Sequence, residues 1–129
     1  DSDNPVYYVQ YAHARICSLV SRLAEEGALV PDASAVDAAL FETAEEKALI
    51  KTLSQLPETI RLSARDYDPS HVNRYLITLA GDFHRFYNAC RIKGEEAHVL
   101  SARLKLADTV RAVIANCLGL IGVTAPEKM

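Results

Sequence analysis

Signals that start an α-helix recur along this chain, and no segment alternates apolar and polar residues as a β-strand does. The pairs Asn4–Pro5 and Asp68–Pro69 each place a helix-capping side chain before a proline that suits the first turn. Thr43 and Glu46 have the spacing of a capping box. Apolar residues then recur every three or four positions behind these signals. The sequence therefore predicts an all-α fold, a bundle of about five helices.

The same signals give approximate bounds for the helices. Glycine and proline mark several ends, because glycine favours helix C-termini and proline cannot continue a helix. The predicted helices are residues 5–26, 43–55, 57–66 and 69–92, and a fifth that Ser101 caps and that Gly119 and Gly122 end. The connection over residues 28–42 is irregular, with one short helical turn near residues 36–40.

The length and composition fit one domain covering residues 1–129. Half of the residues are hydrophobic and about a quarter are charged, as in ordinary soluble proteins. No apolar run approaches the roughly 18 residues of a membrane span, so we expect no membrane partner. The chain starts with polar residues and has no initiator methionine, so we expect a piece of a longer protein without a signal peptide. Cys17, Cys90 and Cys117 are widely separated, which indicates reduced thiols and a cytoplasmic location.

The charge is unevenly distributed along the chain. The net charge is −3, with ten acidic and four basic residues in 1–58 against seven acidic and ten basic residues in 59–129. A protein that binds nucleic acid over a broad surface is usually basic overall. Any RNA-binding surface on this chain would therefore be local and formed by few charges.

The first predicted helix carries a cluster of aromatic and basic residues. Tyr7, Tyr11, Arg15 and Arg22 lie close together on one face, because residues three or four apart are neighbours on a helix. Tyrosine rings stack on unpaired bases and guanidinium groups bind phosphates, so the cluster suits single-stranded RNA. The spacing alone favours the ordinary alternative, in which the tyrosines are amphipathic residues at the edge of the core.

The fourth predicted helix repeats this pattern on a smaller scale. Tyr87 and Arg91 are four residues apart, like Tyr11 and Arg15, so we expect them to form a pair along the helix. Phe83 is expected in the core. His84 is expected to point elsewhere, into solvent.

A cysteine–histidine enzyme is a further possibility. His13 and Cys17 are one helical turn apart, but catalysis of this kind also needs an orienting group and an oxyanion site. A metal site would need two more ligands, and the chain has no glycine-rich loop that could hold a phosphate. We therefore predict no catalytic residue and no metal ligand, and we expect His13 to be structural.

Three segments of the chain resemble a known family. They are NPVYYVQYAHAR near the start, YLITLAGDFHRFYNACRI in the middle and RLKLADTVRAVIANCLGLIGVTAPEKM at the end. All three resemble the C-terminal anticodon-binding domain of arginyl-tRNA synthetases, the DALR-type helical bundle, and more closely its bacterial forms. The resemblance extends over nearly the whole chain, with the segments in the family's order and spacing.

This resemblance implies a function and a set of partners. Arginyl-tRNA synthetases are class I enzymes that use ATP and Mg²⁺ to join arginine to tRNA(Arg), and their catalytic core lies outside this domain. The domain would bind the anticodon loop of tRNA(Arg), hold no cofactor of its own and work beside the parent catalytic domain in cis, in a monomeric cytoplasmic protein. The alternative is a helical protein-interaction module that docks another domain through the tyrosine face.

The resemblance also implies which residues contact the anticodon. The family's contacts fall on Tyr11 and Arg15 in the first helix, on Tyr87 in the fourth and on the C-terminal Met129. Arg91 is included beside Tyr87, although its position is aromatic in some relatives. These five residues form the predicted tRNA anticodon-binding site.

Further expectations concern the neighbours of that site. Lys128 stands where the family has arginine, which keeps the charge but loses the planar fork of a guanidinium group. Tyr7 and Tyr8 become packing residues at the entrance of the domain. Every arginine anticodon has cytosine in the middle, so a pocket that hydrogen-bonds one splayed cytosine and stacks its neighbours would read them all.

Overall fold

The computed structural model describes residues 4–129, and the first three residues of the predicted domain 1–129 lie outside the described residues. Within the described range the chain forms five α-helices and two short 3-10 turns, with no β-strand. The α-helices are α1 (Pro5–Glu25), α2 (Ala44–Ser54), α3 (Leu56–Asp66), α4 (Ser70–Ala89) and α5 (Ala97–Leu120). The predicted all-α bundle is confirmed. In this part of the chain no helix is long and apolar enough to cross a membrane.

Local sequence signals determine both ends of α1. The Asn4 side chain accepts a hydrogen bond of 2.9 Å from the Val6 N–H, and Pro5 occupies the first turn. At the other end Gly27 takes a φ of +92°, which allows the next backbone N–H to reach the Leu23 carbonyl oxygen at 2.8 Å. The predicted start and end of α1 are both confirmed within the usual uncertainty of helix ends.

The prediction is wrong where α4 leads into α5. Glu96 caps α5, because its side chain accepts a hydrogen bond of 3.1 Å from the His98 N–H, and Ser101 lies inside the helix. Serine is the commoner N-cap, which is why the sequence favoured it. α4 ends at Ala89, before its predicted end at residue 92, because Cys90 has extended backbone angles. The two helices are thus joined by a shorter and earlier connection than expected.

The connection between α1 and α2 contains two 3-10 turns, at Ala33–Ala35 and Ala38–Leu40. The Asp32 side chain caps the first turn and the Asp37 side chain caps the second. The second turn matches the predicted helical turn, and the first turn was not predicted.

α4 is the central helix, because it packs against each of the other four α-helices. The largest fully buried side chains include Phe83 and Phe86 of α4, Ile16 of α1, and Leu104 and Ile114 of α5. Removing such a side chain from water contributes about 1.5–3 kcal/mol to folding. A surface formed between α1 and α4 therefore rests on the tightly packed part of the protein.

A buried ion pair fastens α2 to α5. The Glu46 side chain is 1 % exposed and accepts hydrogen bonds of 3.0 Å from the Thr43 N–H and from Nε of Arg103. Burial alone would raise the pKa of Glu46, but these hydrogen bonds lower the pKa below its usual range. Nη1 of Arg103 also donates to the Arg91 carbonyl oxygen at 2.6 Å. The same arginine thus holds the chain just after α4.

α3 is followed by Tyr67, the only non-glycine residue with a positive φ between residues 4 and 129, at +51°. The next backbone N–H, of Asp68, donates to the Ser63 carbonyl oxygen at 3.1 Å, which closes the turn that glycine usually makes at this position. The Tyr67 side chain is 95 % exposed. The left-handed conformation is unfavourable for a residue with a Cβ atom, so this turn is locally strained.

After α5 the chain turns back over α1. Gly122 has a φ of +74°, and the Val123 N–H donates to the Leu118 carbonyl oxygen at 2.9 Å. Val123 and Ala125 then pack against the core as partly buried residues. We call residues 123–129 the tail. Its last two residues line a groove together with Tyr11, Arg15 and Arg22 of α1.

Candidate nucleic-acid interface

The candidate site is the surface where α1 faces α4, with the tail along one side. From α1 it contains Tyr8, Tyr11, Arg15 and Arg22, which share a face because they are three, four or seven residues apart. From α4 it contains His84 and Tyr87, which are three residues apart. This arrangement brings together three of the predicted site residues, Tyr11, Arg15 and Tyr87.

The side chain of Arg15 reaches from α1 to α4. Its guanidinium carbon is 4.6 Å from the centre of the Tyr87 ring, which is a cation–π contact. Its Nη1 atom also donates to Nδ1 of His84 at 3.4 Å. The sequence predicted pairs along each helix, Tyr11 with Arg15 and Tyr87 with Arg91. The structure instead joins Arg15 of α1 to Tyr87 of α4.

Tyr87 packs against the hydrophobic core. Its ring stacks on the buried Phe83 ring at 5.7 Å between centres, with 21° between the ring planes. Tyr87 is therefore partly buried, and its ring already contacts two neighbours, Phe83 and Arg15. Tyr11, by contrast, is 44 % exposed. Tyr11 presents the more accessible aromatic surface, while Tyr87 supports Arg15.

His84 was expected in solvent, and that expectation is wrong. Its ring lies 5.3 Å from the Tyr8 ring and 6.4 Å from the Tyr11 ring, measured between centres. Burial and the nearby charge of Arg15 both lower the pKa of His84, so the imidazole is neutral at neutral pH. Because its Nδ1 accepts from Arg15, the neutral ring carries its proton on Nε2. Its place three residues before Tyr87 was the sequence signal that could have identified it.

The two tyrosines expected at the domain entrance behave differently. Tyr8 packs on His84 and so belongs to the candidate site. Tyr7 is exposed and forms no aromatic pair with any residue in the range 4–129. Tyr7 therefore does not share the contacts of the tyrosines beside it.

Arg91 lies at the rim of the site rather than against Tyr87. Its Nε donates to Oε1 of Glu95 at 3.2 Å, and its side chain is 70 % exposed. Arg91 and Tyr87 line the same small groove of about 300 Å³, together with Arg22 and Lys93. Arg91 is thus present in the site, but its charge is partly neutralised by a solvent-exposed ion pair of small energy.

A second groove, of about 400 Å³, lies beside the first. Its lining includes Tyr11, Arg15, Arg22, Lys128 and Met129. Met129 is half exposed and lies at the end of the tail. Lys128 also lines this groove, so a basic side chain remains at the position where the family has arginine.

Arg22 belongs to both grooves, and the five predicted site residues did not include it. Between residues 4 and 129, neither Arg15 nor Arg22 takes part in an ion pair with a carboxylate. Two arginines without acidic partners, next to an exposed tyrosine ring, are suited to hold phosphates and bases of an unpaired strand. The helical spacing of Arg22 from Arg15 and Tyr11 was a signal for its inclusion.

His13 and Cys17 do not line either of the two grooves. The Cys17 sulfur is 3.8 Å from Nδ1 of His13, and burial raises the pKa of the thiol, which keeps it protonated. Nδ1 of His13 is 2.9 Å from the Pro126 carbonyl oxygen. Among residues 4–129 no group of three or more His, Cys, Asp or Glu side chains is placed to hold a metal ion. His13 is thus buried beside Cys17 and hydrogen-bonded to the tail.

Comparison with known proteins identifies relatives over the whole length of the chain. The DALR anticodon binding domain family matches residues 9–129. The arginine–tRNA ligases of Acetivibrio thermocellus and Ruminiclostridium cellulolyticum are 51 % and 50 % identical over 128 residues, which is 99 % of this chain. The chain spans 23 % of the length of these two relatives.

Two solved structures have the same fold over 100 % of this chain. Arginyl-tRNA synthetase from Thermus thermophilus superimposes with a TM-score of 0.85 at 27 % identity, and the match covers 22 % of that chain. A putative arginyl-tRNA synthetase from Campylobacter jejuni superimposes with a TM-score of 0.81 at 30 % identity, over 27 % of that chain. The resemblance seen in the sequence is confirmed. The chain belongs to the family of DALR anticodon-binding domains, of the kind carried by arginine–tRNA ligases.

Proposed function

We propose that the two grooves between α1, α4 and the tail bind the anticodon loop of tRNA(Arg). The observation that carries this proposal is the state of Arg15. It has no carboxylate partner among the described residues, rests on Tyr87 and His84, and lies beside the exposed Tyr11 ring. A cation held in place without being neutralised is available to an anionic ligand. Anticodon loops supply both phosphates and unstacked bases, which this combination of groups recognises.

Each residue then has a distinct role in binding. Tyr11 stacks on a splayed base, which contributes about 1–3 kcal/mol. Arg15 donates to a phosphate or to a base edge, and Tyr87 keeps its guanidinium group in place. Met129 covers the base from the tail, and Arg91 approaches the backbone of the loop from the rim. A pocket of this kind reads the middle cytosine that all arginine anticodons share.

The longer protein is part of the same proposal. The relatives are named arginine–tRNA ligases and are more than four times as long as this chain. We place the joining of arginine to tRNA(Arg), with ATP and Mg²⁺, in a catalytic domain in cis. A monomeric state and a cytoplasmic location complete this picture of the parent protein.

The direct test is to measure the affinity of an anticodon stem-loop by fluorescence anisotropy at one fixed salt concentration. Replacing the middle cytosine by uridine should weaken binding, because the protein groups that hydrogen-bond the edge of cytosine would then lose their partners. Equal affinity for the two RNAs would remove the claim of cytosine recognition.

The chain offers a matched pair of variants for the same assay. Tyr11→Ala removes an exposed tyrosine inside the site, and Tyr67→Ala removes an exposed tyrosine at the end of α3. Tyr11→Ala should weaken binding about 5- to 150-fold, from the stacking energy of one base. Tyr67→Ala should leave the affinity unchanged. If Tyr11→Ala instead lowers the melting temperature and spares binding, Tyr11 is a residue of the core edge.

The protein-interaction alternative is favoured by a different surface of the molecule. Pro5, Ile77, Leu118 and Ile121 line an apolar groove of about 240 Å³ at the start of α1. This groove lies away from the tyrosine face on which the sequence placed the docking site. We propose that another domain of the longer protein covers it. Ile77→Arg in a full-length ligase should then lower aminoacylation while the isolated domain keeps its affinity for the stem-loop.

A further inference from the structure

The tail reaches the site through two side chains of α1. Nε2 of Gln10 donates to the Thr124 carbonyl oxygen at 2.9 Å, and Nδ1 of His13 lies 2.9 Å from the Pro126 carbonyl oxygen. A carbonyl oxygen only accepts hydrogen bonds, so Nδ1 of His13 carries a proton and donates it. Gln10 and His13 are three residues apart and therefore lie on one face of α1. They hold alternate carbonyl groups of the tail.

These two bonds determine where the end of the chain lies. Throughout the described residues they are the only side-chain hydrogen bonds to the tail. Beyond Pro126, the last three residues are exposed and no hydrogen bond joins them to another residue of the described range. The position of Met129 in the groove with Arg15 therefore depends on the anchors at Thr124 and Pro126.

His13 is suited to this role by its surroundings. Its side chain is 3 % exposed, although it is polar, and its one short hydrogen bond is the bond to the tail. A buried donor that loses its acceptor carries a cost in free energy. The tail thus satisfies His13 while His13 orients the tail.

We infer that Gln10 and His13 are positioning residues that act through the tail to place Met129 in the groove. Neither side chain lines that groove, so neither touches the RNA there. The effect on RNA binding rests on the proposed function, whereas the effect on the position of Met129 does not. Losing either hydrogen bond lets the last residues of the tail move away from the groove, although Val123 and Ala125 still pack against the core.

The sequence provides a specific probe, because Met129 is the only methionine of the chain. A ¹³C-methyl methionine label gives one NMR signal from the tail, and a Met129→Leu variant identifies it against any methionine added for expression. In the intact protein this signal should be shifted from the position of free methionine by the neighbouring Tyr11 ring. Gln10→Ala and His13→Leu should both move it toward the free position.

A conservative variant separates positioning from general stability. The Nδ2 atom of asparagine takes the place of Nδ1 of histidine, so His13→Asn keeps a donor toward Pro126. It should retain the methyl shift that His13→Leu loses, even though both variants change a buried side chain. If His13→Leu does not fold, Gln10→Ala gives the same information, because Gln10 is only partly buried.

The affinity for the anticodon stem-loop supplies the second readout. Gln10→Ala should weaken binding by the same factor as removal of Met129, and the two changes together should weaken it no further. An unchanged methyl signal in Gln10→Ala and His13→Leu would overturn the inference. A wild-type protein that does not bind the stem-loop would instead refute the proposed function, and the methyl signal would still decide the role of Gln10 and His13.

Discussion

Replacing Arg15 by methionine tests the central feature of the site, a guanidinium group held between α1 and α4. Methionine keeps an unbranched apolar stem but removes the charge, the contact with Tyr87 and the bond to His84. A cation–π contact at a partly exposed position contributes about 0.5–1 kcal/mol. A long hydrogen bond of 3.4 Å adds an amount near the low end of about 0.5–1.5 kcal/mol.

The folded protein should therefore lose only about 1–1.5 kcal/mol of stability, or a few degrees in melting temperature for a domain of this size. RNA binding should be affected more. A hydrogen bond from a charged group contributes about 1.5–3 kcal/mol, so affinity for the stem-loop should fall about 10- to 150-fold. If Arg15 binds a phosphate, the slope of log affinity against log salt should also become shallower by about 0.7.

The charge of Arg15 has a second measurable effect, on His84. Burial and the charge of Arg15 lower the pKa of His84, so Arg15→Met should raise that pKa while burial keeps it below its usual value. An NMR titration of the four histidines measures this shift, with His84→Gln to assign the signal. Arg85→Met, which removes an exposed arginine of α4 paired with Asp82, is the matched control. If both methionine variants reduce RNA affinity equally, or His84 does not shift, the assignment of Arg15 to the site is wrong.

Three further predictions concern the fold. Glu46→Gln should lower the free energy of unfolding by about 3–5 kcal/mol in a denaturant titration, because the nearly buried Arg103 loses its counter-charge. The lowered pKa of Glu46 in the folded state means that its stabilisation is complete above its ordinary pKa of 4.5 and is lost as the pH falls below that value. The Glu46→Gln variant should therefore lose less unfolding free energy between neutral and acidic pH than the wild-type protein does. An equal loss in the two proteins would contradict this. Tyr67→Gly should raise the unfolding free energy by about 0.5 kcal/mol, since relief of left-handed strain exceeds the entropy that glycine adds to the unfolded chain.

The sequence predicted the helices well because their ends are set locally. The Asn4–Pro5 cap and the Gly27 end of α1 involve residues within one or two turns of each other. The start of α5 was predicted wrongly because two local capping signals compete there. Glu96 and Ser101 are both acceptable caps, and only the path of the chain after Cys90 decides between them.

The site was harder to predict than the helices. Spacing along one helix reveals neighbours on that helix, such as Tyr11 and Arg15. It does not reveal how α1 is rotated against α4, and that rotation decides that Arg15 meets Tyr87 and His84. The family resemblance supplied the five predicted site residues, but not the contacts between them.

α1 carries two sets of residues with different tasks within one short stretch. Tyr11 and Arg15 face the groove, while Gln10 and His13 face the tail, and the two sets alternate along the sequence. One residue inserted among them would rotate everything beyond it by about 100° around the helix axis. The groove-facing and tail-facing rows would then no longer line up with their partners. A substitution of one side chain in this stretch affects only the groove-facing or the tail-facing row, whereas a change in the number of residues between Gln10 and Arg15 would disrupt both rows together.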